Sequence, residues 1–116
     1  MQVVDVHVKN LRPTYQNLKE WCSNPNNIYI GRGGIVFVDS KRYPEKSSKW
    51  CNPFKSAQHG AACMGLFEAH LDELLQDESN RAEFLLLRDK TLGCWCKPGP
   101  CHGDIIVQKL DEMIEQ

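Results

Sequence analysis

A twelve-residue segment near the carboxyl end of the chain concentrates metal-ligating and nucleophilic side chains. Residues 93–104 read Gly-Cys-Trp-Cys-Lys-Pro-Gly-Pro-Cys-His-Gly-Asp and hold three of the six cysteines. A short apolar run precedes the segment and an amphipathic helical pattern follows it, so the cluster lies in a strand-to-helix connection. Because sulfur reactivity explains such clustering better than packing does, the segment predicts a metal site, a reactive thiol site or a ligand-binding loop.

The first interpretation of this segment is a metal centre. Cys94, Cys96, Cys101 and His102 supply the sulfur and nitrogen ligands of a tetrahedral zinc site, so zinc is a candidate cofactor. These candidates are more crowded than the two separated pairs of a common zinc site. The adjacent Cys101 and His102 can share one ion only if the backbone bends, which the Pro-Gly-Pro run at 98–100 allows. An iron–sulfur cluster would require a further thiolate from elsewhere in the chain.

The second interpretation is a ligand-binding or catalytic site without a metal. Cys101 and His102 lie just before a predicted helix, where a thiol is readily deprotonated and an imidazole can act as its base. Asp104 is a further candidate catalytic residue, as an acid or base, or else a helix cap. Gly103 permits close approach of a phosphate or carboxylate to the helix start, and Trp95 can stack on a planar ligand. A third interpretation treats the cysteines as small packed hydrophobic residues.

A glycine-rich loop carries a second candidate site. The sequence Tyr-Ile-Gly-Arg-Gly-Gly at 29–34 lies between two apolar runs. Gly31 lets the backbone approach a ligand, Arg32 can bind a phosphate or carboxylate through paired hydrogen bonds, and Tyr29 can stack on a ring. The same pattern is equally typical of a β-hairpin turn with a solvated arginine.

A third candidate region lies in the loop-rich stretch 39–60. Asn52 precedes a proline, which holds it extended and is expected to direct its amide outward, and Lys55 adds a cation nearby. We interpret both residues as candidate ligand contacts, since polar loop residues beside a glycine loop often bind ligands. Trp50 and Phe54 are expected to plug the core.

Composition and charge restrict the classes of partner. A chain of 116 residues, 41% apolar and 25% charged, predicts one globular domain over residues 1–116. The absence of a signal-peptide pattern or a bilayer-length apolar run predicts a cytoplasmic protein with no membrane partner. The net charge of −1 makes nucleic acid an unexpected partner. Residues 1–60 nevertheless carry nine Lys/Arg against four Asp/Glu, and such a basic half suits an anionic small-molecule ligand.

The hydrophobic pattern predicts an α/β fold, in which helices flank a small, mostly parallel central sheet. Alternating Val4, Val6 and Val8 predict a first strand, and residues 91–94 predict an inner strand. Helices are predicted around Leu18 and over residues 61–76, 78–89 and 104–116, the last with Ile106, Leu110, Met113 and Ile114 facing inward. Ligands in such folds collect beyond the carboxyl ends of the strands.

Three segments together resemble a known family. They are Tyr-Ile-Gly-Arg at 29–32, Asn-Pro-Phe at 52–54 and the 93–104 segment, and they resemble the family called domain of unknown function 4326. The resemblance implies a small protein of a kind often encoded by phages and viruses, and also found in bacteria. It further implies one site, formed by Arg32, Asn52 and residues 94–104. The chain departs from the family at Cys51, where a glycine is common, and in the long stretch 39–49.

The sequence thus leads to a functional hypothesis and an alternative from another class. The leading hypothesis is that the protein binds, and can modify, a nucleotide-like or other anionic small molecule at a Cys/His/Asp site beside the Gly-Arg loop. The alternative is a non-enzymatic adaptor of viral or phage type, in which zinc stabilises a surface that binds a host protein. Catalytic activity is left open by the sequence.

Overall fold

The computed structural model describes residues 2–54, 56–95 and 101–115, and it confirms the predicted α/β class. A three-stranded parallel sheet and a separate two-stranded hairpin are combined with helices. In chain order the elements are β1 (Gln2–Asp5), α1 (Val8–Leu11), α2 (Leu18–Ser23), β2 (Asn27–Tyr29), β3 (Val36–Val38), β4 (Lys41–Tyr43), α3 (Ser56–His59), α4 (Ala62–Leu74), α5 (Glu78–Leu85), β5 (Thr91–Cys94) and α6 (His102–Glu115).

Strand β5 is the centre of the parallel sheet, in the order β1-β5-β2. Leu92 lies opposite Val3 on one side and Ile28 on the other. From Leu92 to Cys94 the strand is buried, as expected for a parallel strand covered on both faces. All three strands run in one direction, so their carboxyl ends meet at one edge of the sheet.

The glycine-rich loop connects two different sheets and is not a hairpin turn. Strand β2 belongs to the parallel sheet, whereas β3 pairs antiparallel with β4. Of the two interpretations of residues 28–38, the structure therefore supports two short strands around a loop. The hairpin forms further along the chain, where Asp39 and Ser40 adopt positive φ angles of 53° and 65° in the turn.

The sheet separates two groups of apolar side chains. Successive residues of β1 point to opposite faces, and accordingly Val3 packs with one group and Val4 with the other. The larger group includes Phe67 of α4, Phe84 of α5 and Ile106 of α6, and the smaller includes Trp21 of α2. The sheet is thus covered by helices on both faces. A ligand can therefore approach the sheet only at an edge, such as the one where the strands end.

Several predicted element boundaries need correction. The first strand ends at Asp5, and Val8 begins a short helix instead, because the ring nitrogen Nδ1 of His7 accepts a hydrogen bond from the amide of Lys9 and caps that helix. The last helix begins at His102, so Asp104 lies in its first turn and not at its cap. Ile114 does not face inward, since 43% of it is exposed near the end of that helix. Among the described residues, no helix is long and apolar enough to cross a membrane.

Replacement of Gly93 tests how tightly the central strand is packed. A Cβ atom at this position would lie 2.4 Å from Cη2 of Trp21 and 2.5 Å from Cγ1 of Val6. We therefore expect Gly93→Ala to lower the free energy of unfolding by about 1–3 kcal/mol, as overpacking of a core does. Urea denaturation followed by tryptophan fluorescence measures the change.

Gly65→Ala is the matched control for this substitution. Gly65 is exposed within helix α4, and a Cβ there meets no atom within 4 Å. The control is expected to raise stability by about 0.5–1 kcal/mol because alanine favours helix. Equal effects of the two substitutions would contradict the packing described for β5.

Candidate functional site

A cavity of about 470 Å³ opens at the carboxyl edge of the sheet, beside the start of helix α6. Strands β2 and β5 end there, and the residues that follow them form part of its wall. Six of the lining residues were singled out from the sequence, and they come from all three motifs: Gly31, Arg32, Asn52, Cys94, Trp95 and His102. The arrangement follows the general rule that parallel sheets bind ligands beyond the ends of their strands.

Arg32 joins the glycine-rich loop to the Asn-Pro-Phe loop. Its Nε and Nη2 atoms donate hydrogen bonds of 3.1 and 2.8 Å to the main-chain carbonyl of Asn52, twenty residues away. The loops are further connected by the amide of Ser48, which donates to the carbonyl of Gly31 over 3.0 Å, and by the amide of Gly33, which donates to Oγ of Ser47 over 2.9 Å. Arg32 is therefore held in the cavity wall with part of its guanidinium committed to structure.

The side chain of Asn52 is oriented by its own loop. Its Oδ1 atom accepts a hydrogen bond of 2.9 Å from the amide of Phe54, which forms a local turn around Pro53. The side-chain amide of Asn52 was expected to point outward as a whole. Its oxygen instead accepts a hydrogen bond within the loop. Phe54 is half-buried in the cavity wall, where its ring meets the edges of His59 and His70.

Tyr29 and Trp95 are connected by a chain of hydrogen bonds. Nε1–H of Trp95 donates to the Tyr29 hydroxyl over 2.8 Å, and that hydroxyl donates to the carbonyl of Arg32 over 2.6 Å. Burial raises the pKa of Tyr29 to about 12, against the opposing effect of the Trp95 hydrogen bond. The ring of Tyr29 lies across Gly31, where a Cβ would be 2.5 Å from the hydroxyl oxygen. Gly31 thus has a packing role that does not depend on a ligand.

His102 is buried at the first position of α6 and is held in one tautomer. Its Nε2 atom lies 2.8 Å from the carbonyl oxygen of Ile30. Because a carbonyl can only accept, Nε2 carries the hydrogen in the neutral ring and Nδ1 carries the lone pair. Burial lowers the pKa of His102, although the hydrogen bond to Ile30 acts in the opposite direction. The ring also meets Phe67 edge-on, with centroids 5.1 Å apart.

The other candidate residues of the segment lie close to His102 but differ in exposure. The sulfur of Cys101 lies 2.7 Å from that of Cys94, and both residues are 1% exposed. Asp104 is exposed in the first turn of α6. Gly103 is buried, and a Cβ there would lie 2.8 Å from Cγ1 of Val3. Close packing of α6 on the sheet is therefore sufficient to require glycine at that position.

The metal interpretation gains no support from the described residues, among which no group of three or more His, Cys, Asp or Glu side chains is arranged to hold a metal ion. Cys96, one of the four candidate ligands, lies outside the described residues, as does Lys55, a candidate ligand contact. The Nε2 atom of His102 is directed at a carbonyl, so a metal bound by this ring would have to use Nδ1.

Sequence reasoning missed part of the apolar cavity wall. Ile35, Cys63 and Met64 line it, and Phe54 does so where it was expected only in the core. Cys63 and Met64 lie one helical turn before the buried Phe67 on α4, and a helical apolar pattern does not indicate contact with a cavity. Ile35 is 47% exposed, and since isolated exposed apolar side chains are common, no sequence pattern distinguishes it.

Comparisons with known proteins agree with the resemblance. The profile of the family described as Domain of unknown function (DUF4326) matches residues 14–112. The "Uncharacterized protein R718" of Acanthamoeba polyphaga mimivirus is 32% identical over 106 residues, covering 78% of this chain and 70% of that protein. The "Uncharacterized 12.4 kDa protein in nrdA-td intergenic region" of Enterobacteria phage T4 is 36% identical over 62 residues. That match covers 53% of this chain and 57% of the phage protein's length. No solved structure matches significantly.

Acidification is expected to destabilise the protein through His102. The folded state favours the neutral ring, so stability is retained above the unfolded value of 6.5 and is lost as the pH falls from 6.5 through the lowered pKa. We expect the free energy of unfolding to fall more steeply in the wild type than in His102→Gln, whose amide can still donate to Ile30. Urea denaturation at a series of pH values measures both slopes, and identical slopes would assign the acid sensitivity to other groups.

Removal of the Tyr29 hydroxyl tests the connection between the loops. Tyr29→Phe leaves the Trp95 N–H and the Arg32 carbonyl without this partner, so we expect a loss of about 1–3 kcal/mol at neutral pH. The raised pKa means that the stabilising effect of the hydroxyl is present below pH 10.0 and is lost as the pH rises from 10.0 through about 12. The wild type and Tyr29→Phe should therefore converge in stability over that interval. A constant difference in the free energy of unfolding would contradict this role.

Proposed function

Given that the chain belongs to the Domain of unknown function (DUF4326) family, we propose from its site that the protein binds a nucleotide-like or other anionic small molecule beside the Gly-Arg loop. The observation that carries this proposal is that residues of all three motifs line a single cavity at the carboxyl edge of the parallel sheet.

The size and lining of the cavity suit a small organic ligand. Its volume of about 470 Å³ lies within the usual range for such sites. Ile35, Phe54, Met64 and Trp95 provide apolar and aromatic walls, while a small number of polar groups lie among them. A planar ring stacked on Trp95 or Phe54 would gain aromatic contact, as a nucleobase does on aromatic side chains.

The charge of the cavity favours an anion. Arg32 is always ionised, whereas burial keeps His102 neutral near physiological pH. The two N–H groups that Arg32 donates to Asn52 hold the guanidinium in place, and its remaining N–H groups are available to a phosphate or carboxylate oxygen. A positioned cation loses less side-chain entropy on binding than a mobile one, so this contact should contribute strongly to affinity.

Chemical modification of the ligand, if the protein is an enzyme, is assigned mainly to His102. The lowered pKa of His102 keeps its ring in the neutral form, which is the form that can accept a proton from a ligand. Cys101 and Asp104 are the other proposed catalytic residues. Neither residue is among those that line the cavity, so each would reach the ligand only with a change in position.

Arg32→Ala tests the binding proposal. The probes are the adenosine, guanosine, cytidine and thymidine 5′-monophosphates, with the corresponding nucleosides to measure the contribution of the phosphate. Loss of a charge-assisted hydrogen bond of about 1.5–3 kcal/mol should weaken binding of the preferred monophosphate by about tenfold or more. Isothermal titration calorimetry measures the dissociation constants, and the nucleosides should bind both proteins with similar affinity.

Arg81→Ala is the matched control. Arg81 also donates Nε to a main-chain carbonyl, that of Leu75 at 3.1 Å, but it is not among the residues that line the cavity. Arg81→Ala should leave the affinity for the monophosphates unchanged. It should lower the free energy of unfolding by about as much as Arg32→Ala does. The proposal fails if none of the probes binds, or if Arg32→Ala and Arg81→Ala bind them equally well.

A further inference from the structure

Two buried sulfurs lie close together beside the cavity, and the proposed binding of a ligand does not explain their closeness. Sγ of Cys94, at the end of β5, and Sγ of Cys101, just before α6, lie 2.7 Å apart. A disulfide requires a sulfur separation of about 2.05 Å, so the two side chains need only a small movement to become bonded. The amide of Gly103 donates to the Cys101 sulfur over 3.3 Å, which holds that sulfur toward its partner.

We propose that Cys94 and Cys101 are a reversible dithiol–disulfide couple, oxidised by a peroxide that enters through the cavity. Cys94 is 1% exposed but is among the residues that line the cavity, and the cavity is the route by which we expect a small oxidant to reach its sulfur. The proposal stands on the geometry of the two sulfurs and is independent of whether the cavity binds a nucleotide.

The reaction balances with hydrogen peroxide as the oxidant. The Cys94 sulfur, as thiolate, attacks one peroxide oxygen; an S–O bond forms, the O–O bond breaks, and hydroxide leaves to become water. The Cys101 sulfur then attacks the Cys94 sulfur, the S–S bond forms, the S–O bond breaks, and a second water leaves. Overall, two thiols are oxidised to one disulfide and one peroxide is reduced to two waters. An external thiol such as dithiothreitol reverses the reaction.

The other described cysteines provide internal comparisons. Cys22, Cys51 and Cys63 are each half-buried. Burial raises the pKa of both Cys22 and Cys51. Cys63 lines the same cavity as Cys94 and is therefore the control for access by the oxidant.

The test uses the full chain, purified natively without a metal-affinity tag. Protein treated with hydrogen peroxide is alkylated with iodoacetamide, digested with trypsin and analysed by tandem mass spectrometry of the peptide spanning residues 91–109. We expect this peptide to be alkylated at Cys96 and linked between Cys94 and Cys101, and dithiothreitol should restore alkylation at both. Cys63→Ala should give the same linkage, whereas Cys101→Ala should leave Cys94 as a sulfenic acid that dimedone captures.

Three outcomes would overturn the proposal. The first is that Cys94 and Cys101 are both alkylated after peroxide treatment. The second is a disulfide that joins Cys96 to either of them instead. The third is one zinc per chain by plasma mass spectrometry, with both thiols protected from peroxide until the metal is chelated, which would assign the sulfurs to a metal centre. Since these three outcomes are read on the wild type, the proposal can be overturned whether or not a cysteine variant folds.

Discussion

The parallel pairing of β5 between β1 and β2 is the constraint on which the rest of the structure depends. The amide of Ile30 donates to the carbonyl of Gly93 over 2.9 Å, and the amide of Val6 donates to that of Cys94 over 3.1 Å. The two bonds join the end of β5 to the ends of β2 and β1, which are far from β5 in the chain. Because Gly93 has no side chain, Trp21 and Val6 can close over the strand at this point. These contacts fix the edge of the sheet on which the loops lie.

The candidate site is built on that edge by a second set of contacts between loops. The carbonyl of Ile30, just after β2, lies within hydrogen-bonding distance of the His102 ring. The sheet itself therefore orients the imidazole. Arg32 bonds to Asn52, and Tyr29 bonds to both Arg32 and Trp95. In most of these contacts the acceptor is a main-chain carbonyl. The position of each donor side chain therefore depends on the backbone of the segment that carries the acceptor.

The local patterns of the sequence predicted the elements well where one periodicity prevailed. Residues 91–94 show little alternation of polar and apolar side chains, and they form the buried inner strand as predicted. The first strand was extended too far, to Val8, because alternation of valines continued past the point where His7 caps a helix. The glycine-rich loop is compatible with either a hairpin or a connection between separate sheets, so the sequence leaves both open. Short-range patterns do not specify which strand a given strand pairs with.

The sequence by itself determined the α/β class, the family, and the motifs from which the candidate site is assembled. Those features depend on local periodicity and on motifs contiguous in the chain. Only the tertiary structure decided that the motifs meet, since the bonds that join them connect Arg32 to Asn52, Tyr29 to Trp95 and Ile30 to His102 over 20, 66 and 72 residues. It also decided that Cys94 and Cys101 face each other and that Asp104 is exposed. The physical reason is that contacts between distant residues follow from strand order and packing, which no local pattern contains.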